Sequence, residues 1–321
     1  MGLVDTIIGH NKEKQILLNA LKKDRLATTY LFCGESGIGK RTFALEFAKV
    51  LNCEHPTAES DSCDHCSCCR KISSNNHPDL FVVAPESNVI RIEAIREVQE
   101  FLSLAPYEGR KKIVIIDDAH LMNQPASNAF LKTLEEPAAN SLIILISNLP
   151  ELLLETIRSR CFRLNFALLN EEETIQVLKR HLGIIEEEML RALARLCMGR
   201  PGIFGGAEYE EIMGEFDNIA GALETKKVSD RVTDRTELEH WIERITIIFR
   251  DILLTMVHPH LKDALIVDSL QGFYNRISKK LDIDSIIKLY TRLTDLKRSL
   301  RFNINLSIAR NYIESKLNEH Y

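Results

Sequence analysis

The chain has 321 residues, more than one hydrophobic core usually organises, so two or three domains are expected. Hydrophobic residues make up 45% and charged residues 27% of it, which excludes extensive disorder, and no apolar run is long enough to span a membrane. A net charge of -5 argues against binding nucleic acid through overall charge, so any DNA contact is expected to be local or shared with partners. The first residues lack the basic start and long apolar core of a secretory signal, and the chain is therefore expected in the cytoplasm.

Short apolar runs recur along the first half of the chain and are typical of buried strands. Amphipathic patterns at 42–51, 92–104 and 127–135 lie between several of them and indicate helices. Strands alternating with helices predict an α/β domain, in which a parallel sheet is covered on both faces. The predicted strands are 30–33, 80–84, 113–116, 142–146 and 161–166.

The strand pattern stops after Phe166, and the remaining sequence is helical in character. Asn170 and Glu173 form a predicted capping box, which opens a helix running towards Leu182. Beyond two glycine-rich breaks, at 199–202 and 205–206, apolar positions recur at helical spacing. Three domains are therefore expected, over 1–166, 167–207 and 208–321.

A glycine-rich segment, residues 34–40, follows the first strand and opens a helix, which is the setting of a phosphate-binding loop. Gly34, Gly37 and Gly39 allow backbone N–H groups to turn towards an anion. The helix N-terminus adds partial positive charge, and Lys40 can reach the outer phosphates. The alternative is a chance glycine-rich turn, against which the strand, the spacing and the lysine all argue.

The position that normally binds magnesium is altered in this loop. It usually carries a hydroxyl, but here it is Arg41, whose guanidinium cannot ligate a cation. Thr42 lies about 100° around the helix and does not simply replace it. Asp117 and Asp118 end the third strand, where one acid helps to hold Mg²⁺ and the next polarises water, although a solvated strand end is the alternative. Asp118 is also a methylene shorter than the usual Glu, which predicts poor placement of the base.

Five of the eight cysteines lie within residues 53–69. Cys53, Cys63, Cys66 and Cys69 are separated by nine, two and two residues, a spacing suited to tetrahedral zinc. A redox pair of Cys63 and Cys66 is the competing interpretation. Because no catalytic His or Glu is evident nearby, we expect a structural zinc that stabilises an insertion over 53–69. Three other side chains are alternative ligands: His55, His65 and Cys68.

Together these motifs resemble the AAA+ clamp-loader subunits of bacterial DNA polymerase III, and among them the delta-prime family, over essentially the whole chain. The resemblance implies an AAA+ P-loop domain with a zinc insertion, then a helical lid domain and a helical collar domain. Residues 303–306 resemble the start of the last collar helix, where five subunits join in a ring. The other segments that carry the resemblance are 30–32, the cysteine insertion, 77–80, 92–97, 118–120 and 128–137.

The most specific part of the resemblance is the stretch 156–161, which contains Ser159-Arg160-Cys161. This triplet is similar to the clamp-loader motif whose arginine reaches a neighbouring subunit's ATP. The resemblance therefore implies that Arg160 is an arginine finger acting in trans. The alternative is that Arg158 and Arg160 are ordinary surface charges.

Two sensor positions follow from the same resemblance. Asn148, after Ser147, occupies the polar strand end called sensor one. Gly202 stands where ATPase members carry a second sensor arginine, and Arg200 is shifted from that position by two residues. The glycine at the second sensor position, like Arg41 and Asp118, is unfavourable for ATP hydrolysis.

The resemblance leaves two functions in competition. One is a mainly non-motor subunit that supplies the finger, which Arg41, Asp118 and Gly202 favour. The other is an ATP-hydrolysing motor like gamma and tau. ATP with Mg²⁺ is a candidate cofactor beside zinc. The implied partners are gamma/tau and delta subunits in a hetero-pentameric ring, with the sliding clamp and primer-template DNA bound through the complex. A zinc-dependent DNA-binding protein is disfavoured, because the insertion lacks a clustered basic face.

Overall fold

The chain forms two compact units in a computed structural model, one of residues 1–184 and 197–203 and the other of 185–196 and 204–321. The predicted lid region, 167–207, is shared between the two units, and the division into three domains stays a prediction. The structure describes residues 2–57, 61–182, 186–204, 209–228, 232–260, 265–300 and 304–320.

The first unit contains a five-stranded sheet, and every predicted apolar run is one of its strands. These are β1 (Thr29–Cys33), β2 (Leu80–Val83), β3 (Lys112–Ile116), β4 (Ser141–Ser147) and β5 (Phe162–Asn165). All neighbours pair in parallel, in the order β2-β3-β4-β1-β5. Parallel strands need crossover connections, which helices supply here. The predicted α/β class, with a parallel sheet, is confirmed.

Helices cover both faces of this sheet. Alternate residues of a strand therefore pack into two different cores. Ile113 and Ile115 pack in one core with Phe43, while Val114 and Ile116 pack in the other with Phe130. The residues of both cores are buried, which explains the continuous apolar runs of β1, β3 and β4. The prediction of a buried strand is wrong for β5, because it lies at an edge of the sheet and only its Leu164 is buried. The helices of this unit are α1 (Leu3–Thr6), α2 (Asn11–Lys22), α3 (Lys40–Asn52), α4 (Ser67–Ser73), α5 (Ile92–Ser103), α6 (Gln124–Glu135), α7 (Glu155–Arg158) and α8 (Glu171–Leu182).

The capping box predicted for α8 is confirmed. The Glu173 N–H donates to Asn170 Oδ1 at 2.8 Å, and the Asn170 N–H donates to Glu173 Oε2 at 2.9 Å. These two bonds satisfy N–H groups that a helix start leaves unpaired. The helix begins after this box and ends at Leu182, as the sequence predicts.

The second unit contains helices and no strand among its described residues. Its core includes Phe216, Ile245, Phe249 and Leu293, all of which are buried. The last helix begins at Leu306, the last residue of the segment 303–306 where its start was expected, and its role in a collar stays a prediction. Asn303 and the predicted break at 205–206 lie outside the described residues. No helix in the described ranges is long and apolar enough to cross a membrane. The helices are α9 (Glu187–Cys197, of which the last residue lies in the first unit), α10 (Tyr209–Thr225), α11 (Arg235–Val257), α12 (Gln271–Ile277), α13 (Ile283–Leu300) and α14 (Leu306–His320).

Candidate functional site

The predicted nucleotide residues meet at the edge of the sheet where the parallel strands end. Residues 34–40 leave β1, Asp117 and Asp118 follow β3, and Asn148 follows β4. Since β4 lies between β1 and β3, all three segments share one edge. The Gly34 N–H donates to the Ser147 carbonyl at 3.3 Å, which ties the loop to the end of β4. This edge is where open parallel sheets bind ligands.

The phosphate loop has the backbone shape that its glycines predict. Gly37 and Gly39 have φ angles of 80° and 94°, in the left-handed region that side chains disfavour. The Lys40 ammonium, however, is turned into the loop and donates to the carbonyls of Gly34 at 2.7 Å and Glu35 at 2.6 Å. Burial lowers the pKa of this lysine against the opposing effect of Asp118 and Asp117. Its charge is therefore satisfied within the chain.

The altered magnesium position forms an ion pair. Arg41 Nη1 lies 3.4 Å from Asp117 Oδ2, and the arginine side chain is 51% exposed. Burial raises the pKa of Asp117, and the adjacent Asp118 raises it further. Burial also raises the pKa of Asp118, which has a left-handed φ of 45°. The acid that resembles a magnesium-binding residue is thus paired with a guanidinium, and Thr42 lies exposed one residue further on.

The segment that holds the second sensor position packs directly on the phosphate loop. The Gly202 N–H donates to the Gly37 carbonyl at 2.8 Å. A Cβ atom on Gly202 would lie 3.0 Å from that same oxygen, and a Cβ on Gly37 would lie 2.8 Å from Ile203 Cγ2. Both distances are shorter than ordinary van der Waals contact, so a side chain at 202 would require the backbone to shift.

The sensor-one position is polar and half-buried, and its side-chain oxygen is buried. Asn148 Oδ1 has no hydrogen-bond partner among the residues described here. The Ser147 hydroxyl accepts the Leu149 N–H at 3.0 Å and lies 3.2 Å from His120 Nδ1. An unpaired buried amide oxygen is costly and commonly marks a place for an additional partner.

The four predicted metal ligands converge at the end of α3 and the start of α4. The sulfur atoms of Cys53, Cys63, Cys66 and Cys69 all lie within 4.8 Å of one another. Backbone N–H groups donate to three of these sulfurs at 3.3–3.4 Å, an arrangement that favours thiolates. Burial raises the pKa of the Cys63 thiol, but backbone hydrogen bonds at His65 and Cys66 outweigh it and bring that pKa to about 7. The arrangement fits a closed four-thiolate metal site.

Two of the alternative ligands have other contacts. Cys68 is buried with its sulfur 3.1 Å from His77 Nε2, and His77 Nδ1 accepts the Asp79 N–H at 3.0 Å. His65 Nδ1 lies 2.7 Å from the Cys63 carbonyl oxygen. These contacts favour the original four cysteines as the ligand set, in preference to one that includes Cys68 or His65.

Arg160 lies at the surface between α7 and β5. Its Nη2 lies 3.0 Å from Glu135 Oε1, its Nη1 donates to the Thr156 carbonyl at 3.0 Å, and its side chain is 38% exposed. Arg158 differs, because its Nε atom is buried without a hydrogen-bond partner in the described chain. Of the two arginines, Arg160 has its guanidinium held by identified groups of its own chain.

Sequence reasoning assigned no individual role to Glu135, although it lies in one of the segments that carry the resemblance. Glu135 is the last residue of α6. An acid in the last turn is unfavourable with the helix dipole, which a cationic partner would offset, but the sequence does not indicate which residue that partner is. The identity of that partner depends on the tertiary structure.

Comparison with known proteins points to one family. A family model described as "DNA polymerase III, delta subunit" matches residues 9–170. The DNA polymerase III subunit delta' of Bacillus subtilis (strain 168) is 29% identical over 309 residues, which are 91% of this chain and 91% of that protein. The subunit delta' of Escherichia coli (strain K12) is 37% identical over 168 residues, covering 52% of this chain and 50% of that protein.

Proteins named as tau and gamma-related subunits of DNA polymerase III are also similar to the chain. The DNA polymerase III subunit tau of Bacillus subtilis (strain 168) is 27% identical over 332 residues, covering 93% of this chain and 58% of that protein. Among solved structures, a gamma subunit-related protein from Thermotoga maritima aligns with a TM-score of 0.45 and 20% identity, covering 95% of this chain and 99% of that one.

Proposed function

The chain belongs to the DNA polymerase III delta-subunit family, and from this premise we propose that it is a mainly non-motor AAA+ subunit of the delta-prime type. In this role it supplies Arg160 to the ATP site of a neighbouring motor subunit while the sliding clamp is loaded onto primed DNA. Its own loop, residues 34–40, binds nucleotide weakly and hydrolyses it slowly or not at all.

The ion pair between Arg41 and Asp117 is the observation that carries the non-motor assignment. Mg²⁺ bridges the outer phosphates and neutralises charge that develops during phosphoryl transfer. Here one metal-binding position carries a cation, and the acid that would share the metal is paired with it. Loading the site with Mg²⁺ therefore requires this pair to separate.

Two further contacts support the same assignment. Lys40 must leave the carbonyls of Gly34 and Glu35 before it can reach a phosphate. Gly202 contributes no charge at the second sensor position and is hydrogen-bonded to Gly37. Each of these groups would have to be rearranged for catalysis, whereas efficient enzymes place such groups before the substrate arrives.

Arg160 supports the role in trans. Its guanidinium is exposed at the surface, so a second subunit has access to it. A guanidinium carries a planar fork of donors that matches phosphate oxygens, and it remains charged at all relevant pH values. An arginine finger supplied by a partner can contribute on the order of 10³-fold or more to hydrolysis.

For the cysteine cluster we assign a structural role with zinc as the metal. Cys53, Cys63, Cys66 and Cys69 would supply all four ligands, leaving no coordination position for a substrate. Zinc bound there would stabilise residues 53–69, which contain few apolar side chains. ATP with Mg²⁺ is the ligand of the partner's site that Arg160 would contact.

The partners proposed for the chain follow from its relatives. Similarity to tau and delta' proteins supports assembly with gamma/tau and delta subunits in a hetero-pentameric ring. The sliding clamp and primer-template DNA would then be bound through the complex. The helical residues 208–321 would form the collar, and residues 167–207 the lid.

The competing function is an ATP-hydrolysing motor, favoured by the similarity to tau over 93% of the chain. Nucleotide binding and steady-state turnover by the purified chain distinguish the two, with Lys40→Ala as the matched control for contaminating activity. Binding that is lost in Lys40→Ala, without measurable turnover, supports the non-motor role. Robust Mg²⁺-dependent turnover that Lys40→Ala abolishes would establish the motor instead.

A further inference from the structure

The arginine assigned as a finger is held by two groups of its own chain. Glu135, at the end of α6, accepts a hydrogen bond from Arg160 Nη2 at 3.0 Å. The carbonyl of Thr156, in α7, accepts one from Nη1 at 3.0 Å. The two acceptors belong to different helices, so together they restrict both the position and the rotation of the guanidinium plane.

These contacts leave donors available for a ligand. A guanidinium has five N–H donors, and Glu135 and Thr156 each take one. Within the described chain no other group is hydrogen-bonded to the guanidinium of Arg160. Its outward N–H groups can therefore meet phosphate oxygens while both contacts persist.

Folding stability alone is a poor explanation for the contact with Glu135. The glutamate side chain is 54% exposed and the arginine side chain 38% exposed. Ion pairs this exposed are weakened by water and salt and add little to stability. Orientation is the more direct explanation, because a long, flexible arginine loses rotational freedom when it docks on a phosphate.

We infer that Glu135 is a positioning residue for Arg160, an assignment that rests on the proposed role of Arg160 as a finger. Glu135 holds the guanidinium in one orientation before it contacts the neighbouring subunit's ATP. The arginine side chain therefore loses less conformational entropy when the transition state forms. The opposite role, in which Glu135 keeps the finger away from the partner, predicts the opposite sign, because removing Glu135 would then raise turnover.

The test is steady-state ATPase activity of the reconstituted clamp-loader complex carrying Glu135→Ala, Glu135→Gln or Arg160→Ala in this chain. Glu136→Ala is the matched control, because Glu136 is the adjacent exposed acid and forms no ion pair in the described chain. Glu135→Ala is expected to lower kcat about two- to fivefold, the scale of an exposed ion pair, with KM for ATP unchanged. Glu135→Gln, which keeps an acceptor oxygen, should recover part of that loss.

A double variant separates positioning from other effects. In an Arg160→Ala background, Glu135→Ala should have no further effect, because the residue that it orients is gone. If Glu135→Ala leaves kcat unchanged or raises it while Arg160→Ala depresses it, the positioning role is refuted and the finger stands. A change confined to KM, or an equal effect in the Arg160→Ala background, also refutes positioning. If Arg160→Ala itself is silent, the proposed function fails and this inference fails with it.

Discussion

Replacing Cys66 with serine should remove zinc from the insertion and loosen it without unfolding the sheet. Cys66 provides one of four sulfurs that lie within 4.8 Å of one another. A serine hydroxyl is a much poorer zinc ligand than a thiolate, so the site loses its closed tetrahedral set. The two cores on the faces of the sheet contain many other buried residues and should persist.

The size of the effect follows from the loop that zinc closes. The ligands span residues 53–69, and the chain-entropy relation for a cross-link gives about 3 kcal/mol for a loop of about 15 residues. If the insertion then opens locally, this corresponds to about a 100-fold loss of amide protection. The loss should reach α1, because Asp61 accepts the N–H groups of Leu3 at 2.7 Å and Val4 at 2.9 Å.

Elemental analysis and amide hydrogen exchange measure these two effects. Wild-type protein should contain about one zinc per chain, since four thiolates close one tetrahedral site. Cys68→Ser is the matched control, because its sulfur contacts His77, and it should keep both the zinc and the protection. Zinc-free wild-type protein would refute the site. Full zinc in Cys66→Ser, or loss of zinc in Cys68→Ser, would show that the ligand set is wrong.

Two further substitutions test the phosphate loop and a buried carboxylate. Arg41→Thr should strengthen Mg²⁺-nucleotide binding, measured by titration calorimetry, more than it raises turnover, because Asp118 and Gly202 remain unchanged; rapid turnover would contradict this. Asp79→Asn should lower the free energy of unfolding in urea by about 1–3 kcal/mol at pH 7, because the buried carboxylate accepts three N–H groups, from residues 107–109, at 2.7–2.9 Å. Burial raises the pKa of Asp79, but these hydrogen bonds outweigh it and lower the pKa overall. The stabilisation is therefore present above about pH 4 and is lost as the pH falls through the folded-state pKa of Asp79. The difference in the free energy of unfolding between wild type and Asp79→Asn should accordingly vanish in acid. An equal difference at low pH and at pH 7 would contradict this.

Local sequence signals were sufficient to predict most of the fold. The apolar runs of β1, β3 and β4 became strands because buried parallel strands need apolar side chains on both faces. The box at Asn170 and Glu173 fixed the start of α8, since both partners lie within one helical turn. The cysteine spacing likewise predicted four sulfurs that the structure brings together.

Contacts between distant segments could not be predicted from the sequence. Nothing in the pattern of residues indicates that Gly202 bonds to Gly37, or that Lys40 turns back onto the loop carbonyls. The partner of Cys68 also could not be predicted from the sequence, because His77, which contacts its sulfur, lies after the end of α4. In each case the partner is chosen by tertiary packing, while the local sequence allows several partners.

Steady-state ATPase of the complete complex with Arg160→Ala in this chain tests the central claim, which is catalysis in trans. Turnover and clamp loading by the motor subunits should fall, by on the order of 10³-fold or more at the site that Arg160 serves, while the chain stays folded and assembled. Arg160→Lys should recover little, because it keeps the charge but loses the planar fork of donors. Unchanged turnover in Arg160→Ala would contradict the account and leave Arg160 as a surface charge.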